Sequence, residues 1–428
     1  MTFKSSYKLG LALILCYLVA WLDRMTISMT LPFMEKDLAL TTGQQGLIGS
    51  AFFLGYALCQ IPGGMLADRF GPRRVILVAL VWWSLFTALT GAVSDITSML
   101  VVRFLFGIGE GIFPAAVWKV IGQWFTKKNR ASANALILSS IALGPALSPL
   151  LMRPLLENFG WRTSFYILGA AGILCVVVAW AAITNSIHEN KNVPREELEE
   201  YERDTRSQVA NTERSLESVG FMDLLRTPAI WVLFFIALIY NITMYGWLTW
   251  LPTYLMKQKG LDLKSMAWAA SLPFFFGTIG CWLGGFVSDR WFRGRRKVLV
   301  FGCQAVGGIC LFLFTRVSDI TTFTLLQCAA GVLLYTACTA IWAMPMVLLP
   351  PKLMGSGSGF INTGGQIGGV LTSSLIGYAI QMRGNDYSAV FDVMLGALVV
   401  VMVLVLVGIR EQPAPAPAPA VSVDPARS

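Results

Sequence analysis

The sequence predicts an all-α membrane protein of 12 transmembrane helices in two pseudo-symmetric six-helix bundles. Three observations carry this. Of 428 residues, 55% are hydrophobic and only 13% charged, whereas soluble domains carry roughly 25% charged residues. The apolar runs are about 20 residues long, enough to cross a bilayer as helices, and lack the ten-residue alternation of barrel strands. The two halves of the chain also carry the same short motif at corresponding places. Disorder, a disulfide scaffold and a soluble enzyme are excluded.

The predicted spans are 9–33, 45–66, 75–93, 98–121, 131–152, 163–185, 229–256, 266–287, 298–315, 321–349, 355–381 and 388–409. They give an N-terminal bundle over 1–185, a linker over 186–226, a C-terminal bundle over 227–410 and a tail over 411–428. The linker carries the run 195–203, rich in Glu and Arg, and reads as a solvated, partly helical surface segment. The tail alternates Pro and Ala from Pro413 to Ala420 and should be extended and disordered. With the N-terminus in the cytoplasm, cytoplasmic segments hold 22 Lys and Arg against 8 on the other side. That asymmetry puts both termini in the cytoplasm of a multi-pass plasma membrane protein, the bacterial inner membrane being the expected location. No cleavable signal peptide is evident.

Other chemistries find no support. The one histidine, His188, falls in the most polar stretch, so no His-based metal site or catalytic triad can be built. The eight cysteines all lie in apolar runs without CxxC spacing and read as small buried residues. The net charge of +9 resides in short loops, where it orients spans and does not point to nucleic acid. No cofactor and no enzymatic activity are expected, and the working unit should be a monomer in the lipid bilayer.

After span 2 the chain reads Gly64-Met-Leu-Ala-Asp68-Arg69-Phe-Gly71-Pro-Arg73-Arg74. After span 8 it reads Gly285-Phe-Val-Ser-Asp289-Arg290, followed by Arg293, Arg295 and Arg296. Duplicated halves around a midplane site are a transporter architecture. In the repeated motif, Gly64 is expected to permit close helix approach. Asp68 should accept from the amide end of a neighbouring helix or pair with an arginine across the interface, in a contact that one conformation makes and another breaks. Gly64, Asp68, Arg69, Arg73, Arg74, Asp289 and Arg290 are therefore candidate gate residues.

Gly64 to Arg74 closely resembles the loop 2–3 motif of the major facilitator superfamily, and Gly285 to Arg296 resembles its weaker second copy. Within that superfamily, four stretches are similar to the anion:cation symporter group, which includes bacterial sugar-acid and aromatic-acid permeases. They are Asp23-Arg24, the segment from Arg103 through Glu110 to Pro114, Gln123-Trp124-Phe125, and Phe360-Ile-Asn362. The resemblance implies the major facilitator fold. It also aligns Arg24 with an anion-binding arginine, Glu110 with a coupling acid, and Asp23 and Arg103 with their partners.

The charges inside the spans support a similar assignment independently. Each mid-bilayer charge costs roughly 2.5–3.5 kcal/mol if lipid-facing, so Asp23, Arg24, Arg103 and Glu110 must face a hydrated cavity or one another. Helix rise places Asp23 and Arg103 level, about 8–9 Å from the outer edge, and predicts that they pair. Glu110 lies two turns beyond Arg103, near the midplane. Arg24 is free to point elsewhere and is the best anchor for a carboxylate, which its guanidinium can hold with a bidentate fork. Glu110 is the best proton carrier, with Asp23 as a second carrier or only a partner for Arg103. Lys119 should snorkel or make a gate contact. The C-terminal half has no buried charge. It offers neutral groups, of which Tyr245, Asn362 and Gln366, with Tyr56 from span 2, are candidate substrate contacts.

The expected function is proton-coupled import of a small organic anion, such as a sugar acid, by alternating access. An aromatic carboxylate fits Tyr240, Tyr245, Trp247 and Trp250 nearly as well, and a proton-driven exporter is the other alternative within transport.

Overall fold

The computed structural model describes residues 5–190, 193–212, 225–292, 295–348 and 354–409. The Pro/Ala tail, the middle of the linker and the side chain of Asp289 lie outside the described residues.

Helices account for nearly all of the described residues. They are α1 (Ser5–Asp37), α2 (Thr42–Phe70), α3 (Pro72–Thr90), α4 (Ile96–Trp124), α5 (Lys127–Ala182), α6 (Arg195–Thr212), α7 (Pro228–Lys257), α8 (Leu263–Arg290), α9 (Arg296–Arg316), α10 (Ile320–Ala343), the single turn α11 (Pro345–Leu348), α12 (Met354–Met382) and α13 (Ala389–Gly408). Ten of the described helices are long and apolar enough to cross a membrane. One of these, α5, is two spans joined at Gly160, whose φ of 70° breaks the helix. Its two limbs fold back beside α1: Gly144 packs on Trp21, while Trp161 donates to Asp37 and Cys175 touches Cys16. A loop was expected between 152 and 163, but a joint at one glycine replaces it. With α5 counted twice and α12 included, the fold has 12 spans.

The ends of Ser5 and Ile409 share one face of the bundle, called the terminal face below; the opposite face is the distal one. Four of the helices that begin at the distal face carry acceptor caps: Thr41 on α2, Asp95 on α4, Asp262 on α8 and Asp319 on α10. Each accepts from an otherwise unpaired N–H in the first turn. The Asp95 and Asp319 carboxyls are held below the usual carboxylate range by the backbone N–H groups of Ser98 and Thr322.

In the N-terminal half α2 packs on α4, α1 and α3 on α5, and α3 on α4; in the C-terminal half α8 and α9 pack on α10, and α12 and α13 on α7. The halves meet where α2 packs on α12, α5 on α8 and α1 on α7. The α2–α12 contact is closest at the distal face. A Cβ on Gly46 would lie 2.3 Å from the Ser373 carbonyl oxygen, and one on Gly377 would lie 2.7 Å from the Thr42 oxygen. Ser50 Oγ donates to Val370 O at 2.5 Å, Gly43 N to Gln381 Oε1 at 3.1 Å, and Thr42 Oγ1 bonds Asn385. Lys257 Nζ reaches Glu35 at 3.1 Å between α7 and α1. Towards the terminal face, Asn362 Nδ2 donates to Gln60 Oε1 at 2.8 Å. Beyond that pair, Gly359 has no atom within 4 Å of an added Cβ. The halves are thus latched at the distal face.

The linker is less detached than expected. Glu197 on α6 accepts from the backbone N of Ser6 at 3.1 Å, and Leu198 and Tyr201 pack against the core, so the start of α6 is seated on the terminal face.

At Gly46 and Gly377 the distal seam has no room for a side chain. Gly46→Val should therefore separate α2 from α12 and slow crosslinking between Thr42→Cys and Asn385→Cys about tenfold relative to the same pair with Gly46 intact, as a displaced backbone contact of this kind costs 1–3 kcal/mol. The measurement is crosslinking by a short bifunctional thiol reagent in a background lacking the native cysteines.

Candidate functional site

The charged residues of α1 and α4 converge inside the N-terminal half. Arg24 and Glu110 form an ion pair. Nη2 and Nε of Arg24 both donate to the same oxygen, Oε2, at 2.6 and 3.1 Å. The second oxygen, Oε1, is buried without a hydrogen-bond partner. Among the described hydrogen bonds none uses Arg24 Nη1. Arg24 keeps 10% of its side-chain surface accessible and Glu110 only 2%, so the arginine is the more accessible member of the pair.

Aromatic rings enclose that guanidinium. Its central carbon lies 4.6 Å from the ring centroid of Trp21, 5.0 Å from that of Phe52 and 4.9 Å from that of Tyr56. Helix spacing brings them together: Trp21 is three residues before Arg24 on α1, and Phe52 and Tyr56 are four apart on α2. Rings at this distance attract the cation through their negative faces.

Asp23 and Arg103 do not pair as expected. Both are 1% exposed. Neither carboxylate oxygen of Asp23 has a hydrogen-bond partner, and Nε and Nη1 of Arg103 are also unpartnered. Arg103 lies over Phe106, one turn further along its own helix, at 4.4 Å, and over Phe52 at 5.3 Å. Thr87 of α3 lies beside Asp23. The depth argument levelled the two residues along the membrane normal, but it carried no information on azimuth. Around the helix axes Asp23 faces α3 whereas Arg103 turns to the rings.

The C-terminal wall is neutral. Tyr245 is 8% exposed and packs against Phe53 of α2, with centroids 4.4 Å apart and the rings tilted by 52°. Gln366 lies beside it, 7% exposed, with Oε1 unpartnered. Asn362 is engaged with Gln60. Four residues noted for an aromatic substrate separate here. Tyr240 donates to Leu334 O at 2.8 Å, and Trp247 and Trp250 are 1% and 0% exposed, so these three pack while Tyr245 stays at the site.

The repeated motif makes its described contacts within each half. Lys119 Nζ bonds Asp68 Oδ1 at 2.7 Å and Ala67 O at 3.0 Å, tying α4 to α2. Asp68 therefore takes a lysine of its own half, not an arginine across the interface. Arg73 Nη2 donates to Trp180 O at 2.7 Å, and its backbone N donates to Asn185 Oδ1 at 3.1 Å. In the second copy, Arg296 donates to Ser288 Oγ at 3.0 Å and to Ala343 O at 2.9 Å. Arg69 and Arg290 lie over Phe70 and Phe286, and Arg74 is exposed. Gly64 is not where the helices touch: an added Cβ there would meet only Ala115, at 3.8 Å. The close approach falls one residue earlier, where a Cβ on Gly63 would lie 2.5 Å from Ile112 Cα.

Sequence reasoning missed Trp21, Phe52 and Thr87 as parts of the site. The one signal for the first two was their spacing from Arg24 and Tyr56, which in an apolar helix is also that of ordinary packing. Among the described residues no group of three or more His, Cys, Asp or Glu is placed to hold a metal ion.

The family model for the Major Facilitator Superfamily matches residues 13–373. Relatives include a probable sulfoacetate transporter of Cupriavidus necator, 31% identical with 90% of each chain covered, and a hexuronate transporter of Bacillus subtilis, 30% identical with 93% of each covered. A probable galactarate/D-glucarate transporter of Bacillus subtilis is 28% identical, covering 90% of this chain and 87% of its own. Among solved structures, a D-xylose-proton symporter superposes with a TM-score of 0.75 at 14% identity, covering 95% of this chain and 98% of its own. A bacterial homologue of the human lysosomal transporter Spinster, inward-facing and unoccupied, superposes with a TM-score of 0.72 at 20% identity, covering 95% of each chain. By sequence and by fold, the chain belongs to the Major Facilitator Superfamily of membrane transporters.

Proposed function

We propose that this protein imports a small hydroxylated organic acid, of the sugar-acid type, together with protons by alternating access. The observation that carries the reading is the Arg24–Glu110 pair, in which the acid is buried and the base is partly accessible. An entering carboxylate meets Arg24 first. It competes with Glu110 for the guanidinium, and Nη1, outside the ion pair, gives it a point of attachment. A carboxyl that loses its cation in a low-dielectric interior favours its neutral, protonated form. Anion binding and proton uptake then assist each other, and the coupling is reciprocal. Oε1 of Glu110 is the oxygen available for the proton.

The direction follows from the same chemistry. A membrane potential negative inside opposes anion entry by about 2.3 kcal/mol per charge per 100 mV, and one proton per monoanion removes that opposition. The excess of Lys and Arg in the loops of the terminal face supports a cytoplasmic terminal face. On that assignment, the distal latch is the periplasmic gate and the structure stands on the inward side of the cycle, with both termini in the cytoplasm. The motif contacts of Asp68 and Arg73 then brace the cytoplasmic face of the N-terminal half, and Arg290 and Arg296 that of the C-terminal half.

A sugar acid is favoured over an aromatic one. Three of the four aromatics noted on α7 are committed to packing, and beside Tyr245 the other half offers the amides of Asn362 and Gln366. An amide both donates and accepts, as a hydroxyl requires. The hexuronate transporter and the probable galactarate/D-glucarate transporter among the relatives point the same way. The sulfoacetate relative favours a second reading, a small sulfonated acid held by the same arginine. A proton-driven exporter would make the outer medium more acidic when substrate is added, whereas import makes it more alkaline.

Purified protein in liposomes under an imposed pH gradient tests the reading with D-glucuronate, galactarate, sulfoacetate and benzoate. Accumulation of none of them removes it, and preference for benzoate restores the aromatic alternative. Glu110→Gln should reduce gradient-driven accumulation to the level of empty liposomes while counterflow exchange continues; retained accumulation would show that the proton travels elsewhere. Arg24→Ala should weaken binding of the preferred anion at least about 30-fold by calorimetry, the scale for truncating one member of a buried charge pair.

A further inference from the structure

Phe52 is a single ring with two cations over it. The guanidinium carbon of Arg24 lies 5.0 Å from its centroid and that of Arg103 lies 5.3 Å away. We propose that Phe52 is a positioning residue for the transported anion: its π face supports both guanidiniums at once and so ties the unpaired Arg103 to the Arg24–Glu110 pair. The inference rests on the reading of Arg24 as the anion's anchor.

The argument begins with a deficit. Two arginines and two acids converge here, yet the described ion pairs include only Arg24 with Glu110. Arg103 is 1% exposed, with Nε and Nη1 lacking hydrogen-bond partners. A buried charge without a partner is costly. The groups facing the Arg103 charge are the rings of Phe106 and Phe52, and a desolvated cation–π contact offsets part of that cost. Removing Phe52 would leave one face of Arg103 bare and draw it towards the carboxylates. Glu110 is within electrostatic range of both arginines and Asp23 is within range of Arg103.

The same ring helps to fix the plane of Arg24. With Trp21 and Tyr56 it makes three rings within 5.0 Å of the guanidinium carbon, which hold the cation beside Glu110. Phe52 also leads to the other half. Centroids run 5.5 Å from Phe106 to Phe52, 5.0 Å from Phe52 to Phe53, and 4.4 Å from Phe53 to Tyr245 of α7. The position of Arg24 is thereby referred to the wall on which the remainder of the substrate would lie.

Fluorinated phenylalanines test this, since each added fluorine weakens the negative face of the ring while nearly preserving its shape. The full chain is made with phenylalanine, mono-, di- and trifluorophenylalanine at position 52, with Arg24→Ala in parallel. Dissociation constants are measured for D-glucuronate, galactarate and sulfoacetate, and the series is read on whichever binds the native chain most tightly. Affinity should fall in steps with fluorine number, by about tenfold at three fluorines, while thermal unfolding stays near native. Phe52→Leu should lose at least as much affinity, and Phe52→Tyr, which keeps the face, should recover most of it. A flat fluorine series beside a binding-dead Arg24→Ala overturns the role of Phe52 and leaves Arg24 as the anchor. Native-like binding by Arg24→Ala overturns the anchor and the inference with it, as does failure of all three acids to bind the native chain.

Discussion

A charge placed in hydrocarbon must be answered, and the response to Arg24 organises the N-terminal half. Glu110 meets one edge of the guanidinium and three rings meet its faces. Helix α1 supplies the cation and α4 the anion, while α2 supplies two of the rings, so the three helices are held in register by one side chain. The cost of leaving either charge alone would be several kcal/mol. On the proposed reading, neutralising Glu110 by protonation is the change that releases Arg24 without incurring that cost, and the structural tie and the chemical switch are the same pair of residues.

The spans and the membrane class were legible in the sequence, because the length and hydropathy of a run are one-dimensional quantities. The identity of the buried charges was legible for the same reason. Their pairing was only partly so. Rise per residue places Asp23 and Arg103 level in the sequence reading, but pairing also depends on rotation about the helix axis. Thr87 and Phe106 are the neighbours that rotation selects. Gly64 illustrates a related limit. The motif marks a helix end where glycine is needed, yet the residue in contact is Gly63, and a shift of one residue turns a helix by about 100°. Phe52 was invisible for a different reason: the chain has 26 phenylalanines, and nothing in its local pattern separates a ring beneath two cations from a ring in the core.

The two halves differ in kind. The N-terminal half carries the buried charges, whereas the C-terminal half presents the neutral Tyr245, Gln366 and Asn362. On the proposed reading, rocking one against the other moves a field that varies with protonation past a constant surface. The aromatic contact between Phe53 and Tyr245 lies on that boundary, and Gln60 with Asn362 bridges it on the terminal side.

The distal seam between α2 and α12 has a consequence for speed. Where Gly46 meets Gly377 the surfaces are main chain against main chain, and the bonds beside them come from small hydroxyls and amides such as Ser50 and Gln381. Parting them bares carbonyls, hydroxyls and amides that water can bond, and uncovers the Tyr378 ring packed beside Gly43. On the proposed reading of this seam as a gate, a closure held largely by polar groups parts at lower cost than one of interlocked apolar side chains, and a carrier that must reset after every molecule gains turnover from a door of that kind.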